Sequence, residues 1–351
     1  MTVLYIAGSG IKPGKTSVAS TLISYLSQNK EKVNGIKPFT FSNKTSDPDI
    51  TYYSKINSNT NFSYEPIVIS KNSEITDEMI TQTAKKVETS SQKADFTIIE
   101  GIDDINQNLS NIKSSKQLIN ILDAKIILII NGTEGIDSKL VEKAIDIYGI
   151  HLKIILVNRT PKYLFTKLKS NVSKDNKINE LQNLYDFSIE IVPEDRKMIA
   201  PSVNEIGAFL KAEFPINDHL PELEAKLETP VEYLMVGGWS LDSGNYIFSK
   251  RNNKAVIIKG DRPDLQMAAL ESSTSCLILT NGQKPIQYVI EHAIKKQIPI
   301  LSVNESTQNV MRCINAFPWE ETSITKAKSS RFENLLNLHF QGSTLVEILD
   351  N

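Results

Sequence analysis

The chain has 351 residues, of which 40% are hydrophobic and 23% are charged, and its formal net charge is −2. This length and composition predict an ordinary globular protein with two domains. A net charge near zero gives no support for a broad role at nucleic acids or membrane surfaces. No apolar run reaches the roughly 18 residues of a membrane span, and the start lacks the pattern of a signal peptide. We therefore expect a cytoplasmic protein that binds neither nucleic acid nor membrane.

The chain begins with a strand, a glycine-rich loop and a helix. Residues 3–6 form an apolar run that predicts a buried strand, and the helix is predicted to begin at Lys15. Loop N–H groups and a helix N-terminus can hold a phosphate, to which Lys15 adds a positive charge. The Thr16 hydroxyl can reach Mg²⁺. The predicted nucleotide-binding residues are Gly8, Gly10, Gly14, Lys15, Thr16 and Ser17.

This loop is one residue longer than the standard P-loop. The standard spacing requires a glycine five residues before Gly14, but that residue is Ser9, and Gly8 lies one place further back. A glycine-rich turn that binds nothing is the alternative. The flanking strand and helix favour the phosphate site.

Polar residues follow the predicted second strand, residues 33–39. Lys37 stands near its end, where open α/β sheets bind their ligands, although a solvated lysine is equally consistent with the pattern. Asp47 and Asp49 follow in a long polar loop with a predicted helix from Asp49. These carboxylates could hold Mg²⁺, or they could form a turn and cap the helix.

Two later strands are predicted to end in polar residues. The apolar run 94–100 ends at Glu100, immediately before Gly101. An acidic residue at this place beside a P-loop is typical of a Mg²⁺ ligand, and a surface glutamate is the alternative. Asn158 ends another predicted strand. Its amide can read an adenine edge or cap the next helix.

The order of the predicted elements indicates an α/β fold. Strands and helices alternate over about 210 residues, which predicts a doubly wound, mostly parallel sheet with the glycine loop at its C-terminal edge. A second, smaller α/β domain follows without a P-loop. The predicted boundaries are 1–214 for the first domain, 215–230 for a linker, 231–316 for the second domain, and 317–351 for a tail. The tail contains one amphipathic helix, which we expect to dock on a partner subunit.

Several stretches of the first domain resemble the dethiobiotin-synthetase type of P-loop protein. They also resemble the version of this domain at the front of long bacterial phosphotransacetylases. The longer glycine loop fits this family. The matching stretches are residues 8–16, 35–38, 47–49, 98–101, 156–159 and 192–196.

The resemblance implies ATP and Mg²⁺ as cofactors. It implies that Lys15 binds phosphate, that Lys37 lies near the transferred phosphoryl group, and that Asn158 lies near the base. Lys15 and Lys37 would be the catalytic lysines. The resemblance also implies that Mg²⁺ is surrounded by Thr16, Asp49 and Glu100.

The sequence departs from this family in two places. Residues 102–104 are Ile-Asp-Asp, where the synthetases have a second glycine-rich stretch. Residues 66–71 stand where the synthetases have a Ser/Pro-rich substrate loop. The sequence therefore matches the family better at the nucleotide site than at the site for the biotin precursor.

The second domain contains three stretches that match a known domain, namely residues 235–238, 260–264 and 278–282. On these stretches it resembles the DRTGG domain, which implies a regulatory or dimerising role. Gly260, Asp261 and Arg262 lie between a predicted strand and a predicted helix. Arg262 and the helix N-terminus could bind an anion, or an Asp–Arg pair could fix the loop.

Three functional hypotheses follow from these features. The first, which we adopt, is a Mg–ATP-binding regulator whose DRTGG module couples the nucleotide state to a homodimer or another partner. The second is an enzyme that transfers the γ-phosphoryl group of ATP to a small carboxylate or carbamate, with Lys15 and Lys37 stabilising charge. The third is an interaction protein in which nucleotide only stabilises the fold. We expect no acetyltransferase activity, because 351 residues leave no room for that domain.

Overall fold

The chain divides into two compact units. Unit 1 comprises Met1–Asp195 and Ser329–Asn351, and unit 2 comprises Arg196–Lys328. The structure is a computed structural model, and it describes residues 2–10, 12–29, 31–40, 47–57, 64–69, 75–91, 94–105, 109–216, 220–238, 244–319 and 322–339.

Unit 1 is built on a parallel sheet. Its strands are β1 (Thr2–Ser9), β2 (Val33–Ile36), β3 (Phe39–Thr40), β4 (Ile67–Val68), β5 (Phe96–Asp104), β6 (Lys125–Asn131), β7 (Leu152–Thr160) and β8 (Ser188–Pro193). In the described part of the chain, six of them pair in the order β2-β5-β1-β6-β7-β8, and every pair is parallel. Residues 126–130 of β6 are all buried, as a branched apolar run in a covered parallel sheet should be.

Helices connect these strands. They are α1 (Lys15–Gln28), α2 (Pro48–Ile56), α3 (Asp77–Ser91), α4 (Leu109–Leu122), α5 (Ser138–Tyr148), α6 (Lys162–Lys174) and α7 (Asn176–Tyr185). The apolar stripe predicted for α1 is buried at Val18, Leu22, Ile23 and Leu26. The predicted α/β fold with a mostly parallel sheet is confirmed.

The predicted second strand, residues 33–39, divides at Lys37 and Pro38. β2 ends at Ile36, and the chain then joins β3, which pairs with β4 in a separate two-stranded sheet. Proline has no N–H with which to continue the ladder beside β5. The Pro38 carbonyl instead accepts a hydrogen bond of 2.9 Å from Ile67 N. Lys37 is therefore placed just beyond the C-terminal end of β2.

β5 does not end at Glu100, as the sequence predicts, but continues to Asp104. Opposite β1, the pairing moves from Ile6–Glu100 to Gly8–Asp104, so β5 bulges after Glu100. A Cβ at Gly101 would lie 2.5 Å from the Tyr5 ring, which explains the glycine at this bulge. Bulges of this kind redirect side chains and are frequent beside functional sites.

Unit 2 contains a second parallel sheet. Its strands are β9 (Tyr233–Gly237), β10 (Lys254–Lys259), β11 (Thr274–Thr280) and β12 (Ile300–Ser302). They pair in the order β12-β11-β10-β9. The remaining helices are α8 (Arg196–Ile199), α9 (Val203–Leu210), α10 (Leu220–Leu227), α11 (Asn245–Phe248), α12 (Pro263–Leu270), α13 (Gln287–Lys296), α14 (Thr307–Asn315) and α15 (Lys326–His339). Among the described residues, no helix combines the length and the apolar character needed to cross a membrane.

The compact units divide at residue 195, whereas the predicted first domain extends to residue 214. α8 and α9 are grouped with unit 2 because Val203 and Ile206 share a buried core with Ala255 and Ile257. Of the predicted linker, residues 217–219 lie outside the described residues, and its predicted short helix is α10. The extent of each independently folding domain stays a prediction.

The C-terminal helix α15 packs against its own chain. Leu335 and Leu336 are 5% and 3% exposed, and Ser329 Oγ donates to Ser24 Oγ of α1 at 3.3 Å. Arg331 Nη2 lies 2.7 Å from Asp195 Oδ2. The expectation that this helix docks on a partner subunit is therefore wrong for the face that carries these leucines. Residues 340–351 lie outside the described residues.

We expect Leu336→Ala to lower the free energy of unfolding by about 2–5 kcal/mol, because it removes a buried side chain that lines a cavity with Thr21, Leu22 and Tyr25 of α1. Leu338→Ala is the matched control, since Leu338 lies on the same helix but is 72% exposed. The control should change stability by less than about 0.5 kcal/mol. Urea denaturation measures both values. Equal losses in the two variants would contradict the docking of α15 on α1.

Candidate functional site

The loop between β1 and α1 forms the centre of the candidate site. Gly10, Lys12 and Gly14 have φ angles of 83°, 45° and 103°, which are left-handed. Glycine adopts this conformation without a steric penalty, and Gly14 is the N-cap of α1. The helix N-terminus presents N–H groups that favour an anion. The first turn of the helix contains Lys15, Thr16 and Ser17.

Gly8 and Gly10 allow side chains to approach the loop closely. A Cβ at Gly8 would lie 3.0 Å from Pro13 Cγ and 3.1 Å from Lys15 Cδ. A Cβ at Gly10 would collide with the carboxylate of Glu134. These two glycines therefore serve the packing of the loop as well as its backbone conformation.

Glu100 is a buried carboxylate beside this loop, with 5% of its surface exposed. Thr16 Oγ1 donates to Glu100 Oε1 at 2.8 Å, and the Tyr53 hydroxyl donates to Glu100 Oε2. Burial raises the pKa of Glu100, and Asp49 raises it further, while Lys37 acts in the opposite direction. Two hydroxyl groups thus fix the orientation of the carboxylate, and a nearby ammonium group stabilises its charged form.

Lys37 forms ion pairs with two aspartates of α2 and its N-cap. Lys37 Nζ lies 2.6 Å from Asp49 Oδ2 and 2.9 Å from Asp47 Oδ2. Burial by itself would lower the pKa of Lys37, but the charges of Glu100 and Asp49, together with the hydrogen bonds to Asp49 and Asp47, outweigh burial and raise it. Burial would likewise raise the pKa of Asp47, but the hydrogen bond and the charge of Lys37 lower it.

Asp47 and Asp49 have different local roles. Asp47 caps α2, because its Oδ1 accepts a hydrogen bond of 2.9 Å from Asp49 N. Its other oxygen accepts from Thr40 Oγ1 at 2.9 Å. The Asp49 side chain instead faces the glycine loop, where its Oδ2 lies 3.4 Å from Thr16 Oγ1. The structure therefore brings together four of the predicted site residues, namely Thr16, Lys37, Asp49 and Glu100.

The donor atoms of this cluster suit a hard divalent cation. One hydroxyl and several carboxylates are present, and Mg²⁺ prefers oxygen ligands. Within the part of the chain that the structure describes, no group of three His, Cys, Asp or Glu residues is placed to hold a metal. A cation at this site would therefore also need the Thr16 hydroxyl, water or phosphate oxygens, which is the usual manner of Mg²⁺ binding. Carboxylates outnumber ammonium groups among the charged residues Lys15, Lys37, Asp47, Asp49 and Glu100.

Asn158 and Arg159, at the end of β7, contact the glycine loop. Asn158 Nδ2 donates to Pro13 O at 2.9 Å, and Arg159 Nη1 donates to Lys12 O at 3.0 Å. A Cβ at Gly14 would lie 2.5 Å from Asn158 Nδ2, so glycine is needed where the amide meets the loop. The position of Asn158 near a base stays a prediction, because the structure shows its amide bonded to the loop.

The loop of unit 2 that contains Gly260, Asp261 and Arg262 carries an ion pair at the start of α12. Arg262 Nε and Nη2 lie 2.9 and 2.7 Å from the two carboxylate oxygens of Asp264. The partner in this pair is Asp264, and not the neighbouring Asp261. A Cβ at Gly260 would lie 2.6 Å from Gln283 Cβ, which explains this glycine. Anion binding by Arg262 stays a prediction.

The sequence reasoning missed Tyr53 and Arg159. Tyr53 is fully buried and lies four residues after Asp49 on α2, so both side chains lie on the same helical face. That spacing is a signal from which the contact with the site could have been predicted. Arg159 ends the matching stretch 156–159, but its contact with Lys12 depends on the path of the glycine loop, which that stretch does not predict.

A parallel α/β sheet whose first strand leads through a glycine loop into a helix with Lys15 and Thr16 defines a P-loop NTPase-like domain. The family model described as an AAA domain matches residues 2–186. Because this match covers more than half of the chain, the protein belongs to that AAA domain family. The model described as a DRTGG domain matches residues 219–317.

Several solved structures are similar to parts of this chain. The CBS and DRTGG regulatory region of Clostridium perfringens pyrophosphatase, complexed with diadenosine tetraphosphate, is 18% identical, covers 42% of this chain and 71% of its own, and has a TM-score of 0.30. HypB from Archaeoglobus fulgidus is 18% identical over 55% and 81% of the chains, with a TM-score of 0.34. FtsY from Elizabethkingia anophelis in complex with GDP is 12% identical over 55% and 57%, with a TM-score of 0.40. At these TM-scores the likenesses support no conclusion about ligands or partners.

We expect Tyr53→Phe to lower the free energy of unfolding by about 1–3 kcal/mol, because a buried carboxylate oxygen of Glu100 loses its donor. Tyr5→Phe is the matched control, since the buried Tyr5 hydroxyl donates to the neutral Ser115 Oγ at 2.7 Å. The control should cost about 0.5–1.5 kcal/mol. Urea denaturation compares the two variants. A smaller loss in Tyr53→Phe than in Tyr5→Phe would contradict the role assigned to Tyr53.

Proposed function

We propose that unit 1 binds ATP together with Mg²⁺, and that the DRTGG module couples this bound state to self-association or to a partner. The observation that carries the proposal is the position of the Thr16 hydroxyl, 2.8 Å from Glu100 Oε1 and 3.4 Å from Asp49 Oδ2. A hydroxyl and two carboxylates beside a glycine loop form a suitable donor set for Mg²⁺ next to phosphates. The AAA domain match supports the same site.

Each side chain has a distinct role in this proposal. Lys15 and the loop N–H groups bind phosphate oxygens at the N-terminus of α1. Thr16, Asp49 and Glu100 would hold Mg²⁺, which when bound neutralises phosphate charge. Tyr53 keeps one oxygen of Glu100 fixed, so that the other oxygen stays beside Thr16.

The first test is calorimetric titration with ATP in the presence of Mg²⁺ and, separately, of a chelator. We expect Lys15→Ala to weaken Mg–ATP binding by about 10-fold or more, because a charge-assisted contact with phosphate is lost. Lys85→Ala is the control, since it removes an exposed lysine of α3. The control should bind as the wild type does.

The same samples test the regulatory part of the proposal. Light scattering with and without Mg–ATP should reveal a change in mass, and pull-downs should reveal a change in partner capture. Absence of ATP binding by the wild type, or equal binding by Lys15→Ala, contradicts the nucleotide site. If neither the mass nor the partner capture changes on addition of nucleotide, the coupling is contradicted, while the nucleotide site is not.

A dimeric state, a cytoplasmic location and a kinship with the front of phosphotransacetylases stay predictions of the sequence.

The position of Lys37 favours a second candidate function, phosphoryl transfer to a small carboxylate or carbamate. Its ammonium lies 2.6 Å from Asp49 and belongs to the same cluster as Thr16 and Glu100. From this place a flexible lysine side chain can move from an aspartate to a phosphoryl oxygen. Positive charge at a transferring phosphoryl group stabilises the transition state.

If the protein is such an enzyme, we expect it to release ADP from ATP only when an acceptor is added. A screen over small carboxylates, carbamates and diamines measures this turnover. Lys37→Gln should reduce turnover by about 100-fold or more, because one charge at the transition state is lost, while ATP binding changes much less. Background turnover by the wild type with every acceptor would argue against an enzyme and leave nucleotide binding intact.

A further inference from the structure

One helix belongs to both compact units. Residues 326–328, the first three of α15, are grouped with unit 2, and the rest of this helix, from Ser329 onwards, is grouped with unit 1. The other connection between the units lies between Asp195 and Arg196. Unit 2 is therefore inserted into unit 1, and one of its two connections is a continuous helix.

An ion pair joins these two connections on the side of unit 1. Arg331 Nε and Nη2 lie 3.0 and 2.7 Å from Asp195 Oδ2, and the Asp195 side chain is only 15% exposed. Asp195 is the last residue before unit 2, and Arg331 is the third residue after the chain returns. A charge-assisted pair that is partly buried holds its geometry better than a surface ion pair. The first turn of α15 in unit 1 is therefore fixed.

Within unit 1, α15 packs on α1 through small hydroxyl residues. Thr21 Oγ1 donates to Ser329 O at 3.3 Å, and Ser329 Oγ lies 3.3 Å from Ser24 Oγ and 3.5 Å from Ser20 O. Ser20, Thr21 and Ser329 are at most 1% exposed. Ser20 Oγ also donates to Thr16 O at 2.7 Å. The contact with α15 therefore lies about one helical turn from Thr16, the candidate Mg²⁺ ligand.

Within unit 2, the chain that leads into α15 is anchored to α9. Ser323 N donates to Glu205 Oε1 at 2.7 Å, and Glu205 belongs to the capping box of α9. Lys328 is 1% exposed, and its Nζ donates to Ser323 O at 2.8 Å. This buried ammonium connects the start of the helix to the segment that α9 holds.

The contact between α1 and α15 is suited to small adjustments. Its hydroxyl contacts of 3.3–3.5 Å are longer than the usual O–H···O bond of about 2.7–2.8 Å, so each of them is weak. A helix, in contrast, is stiff, because successive turns are joined by backbone hydrogen bonds. A displacement of α1 at the phosphate site therefore moves α15 as a whole, including its first residues in unit 2.

We propose that α15 is the element that transmits the nucleotide state of the glycine loop to unit 2. The nucleotide in this inference rests on the proposed function, whereas the route from α1 to unit 2 is a property of the protein without ligand. Mg–ATP orders the loop and the first turn of α1, and this ordering tightens the docking of α15. Because coupling is reciprocal, tighter docking of α15 also raises the affinity for Mg–ATP.

Hydrogen exchange in unit 2 tests the route in the protein without ligand. Thr21→Val removes the hydroxyl that bonds to Ser329 O and keeps the shape of the side chain. Amides of residues 323–328 should then exchange about five-fold faster, the factor expected for one lost hydrogen bond, while those of β10 in the core of unit 2 should not change. Thr81→Val is the matched control, because its hydroxyl bonds within its own helix, α3. Unchanged exchange of residues 323–328 in Thr21→Val overturns the proposal.

A disulfide lock tests the route with nucleotide. Ser24→Cys combined with Ser329→Cys places two thiols where the hydroxyl oxygens lie 3.3 Å apart. The same chain carries Cys313→Ser, because Cys313 is exposed, whereas Cys276 is buried. In the reduced chain, Mg–ATP should slow the exchange of residues 323–328 by about five-fold or more, the lower end of usual coupling. In the oxidised chain this exchange should already be slow and should not respond to Mg–ATP.

Calorimetric titration of the locked chain completes the test. The oxidised chain should bind Mg–ATP at least as tightly as the reduced chain, as reciprocity requires. The control is Ser24→Cys with Cys313→Ser, which has no partner thiol and should not respond to oxidation. An equal effect of Mg–ATP on the exchange of residues 323–328 in the oxidised and reduced chains overturns the proposal.

The failure of this inference and that of the proposed function are distinguishable. If the wild type binds no Mg–ATP, the proposed function fails, and exchange in Thr21→Val still supports or overturns the route. If Mg–ATP binds but leaves the exchange of residues 323–328 unchanged in the wild type, nucleotide binding stands and the route is overturned. If the cysteine chain does not fold, the wild type and Thr21→Val carry both measurements.

Discussion

The buried carboxylate of Glu100 is the constraint on which the candidate site of unit 1 depends. A charged group that leaves water destabilises the fold strongly unless hydrogen bonds and opposite charge replace its hydration. Glu100 receives hydroxyl donors from Thr16 and Tyr53, and positive charge from Lys37. These partners come from α1, α2 and the chain after β2. One carboxylate therefore connects three separate segments to the middle of β5.

Asp47 and Asp49 connect the buried Glu100 cluster to α2 through Lys37. Asp47 fixes the start of α2 as its N-cap, and the same side chain shares Lys37 with Asp49. α2 is thereby oriented so that Asp49 faces Thr16 and Tyr53 faces Glu100. Fully apolar residues could fill this space with less cost in desolvation, so stability alone does not account for this cluster of charges, which agrees with the Mg²⁺ site proposed above.

The sequence predicted the elements whose signals are local. The strand at residues 3–6, the helix from Lys15 and the buried run of β6 follow from composition and period alone. The end of β5 was misplaced because a bulge beside Tyr5, which is a tertiary contact, lets the strand continue past Glu100. The apolar stripe of α15 predicted burial, but a stripe does not identify the surface that covers it. Contacts between distant segments, such as Tyr53 with Glu100, depend on register and helix orientation, and a short motif fixes neither.

The extra residue of the glycine loop is a local sequence feature that depends on contacts with a distant segment. A longer loop has more conformations in the unfolded chain and needs further contacts to hold one of them. Its left-handed residue Lys12, next to Pro13, lies where Asn158 and Arg159 donate to consecutive carbonyls. The spacing that distinguishes this loop from the standard P-loop is thus matched by two donors from β7. A short glycine and lysine motif does not include these two supporting residues. They lie about 145 positions later in the sequence, so only the folded chain brings them to the loop.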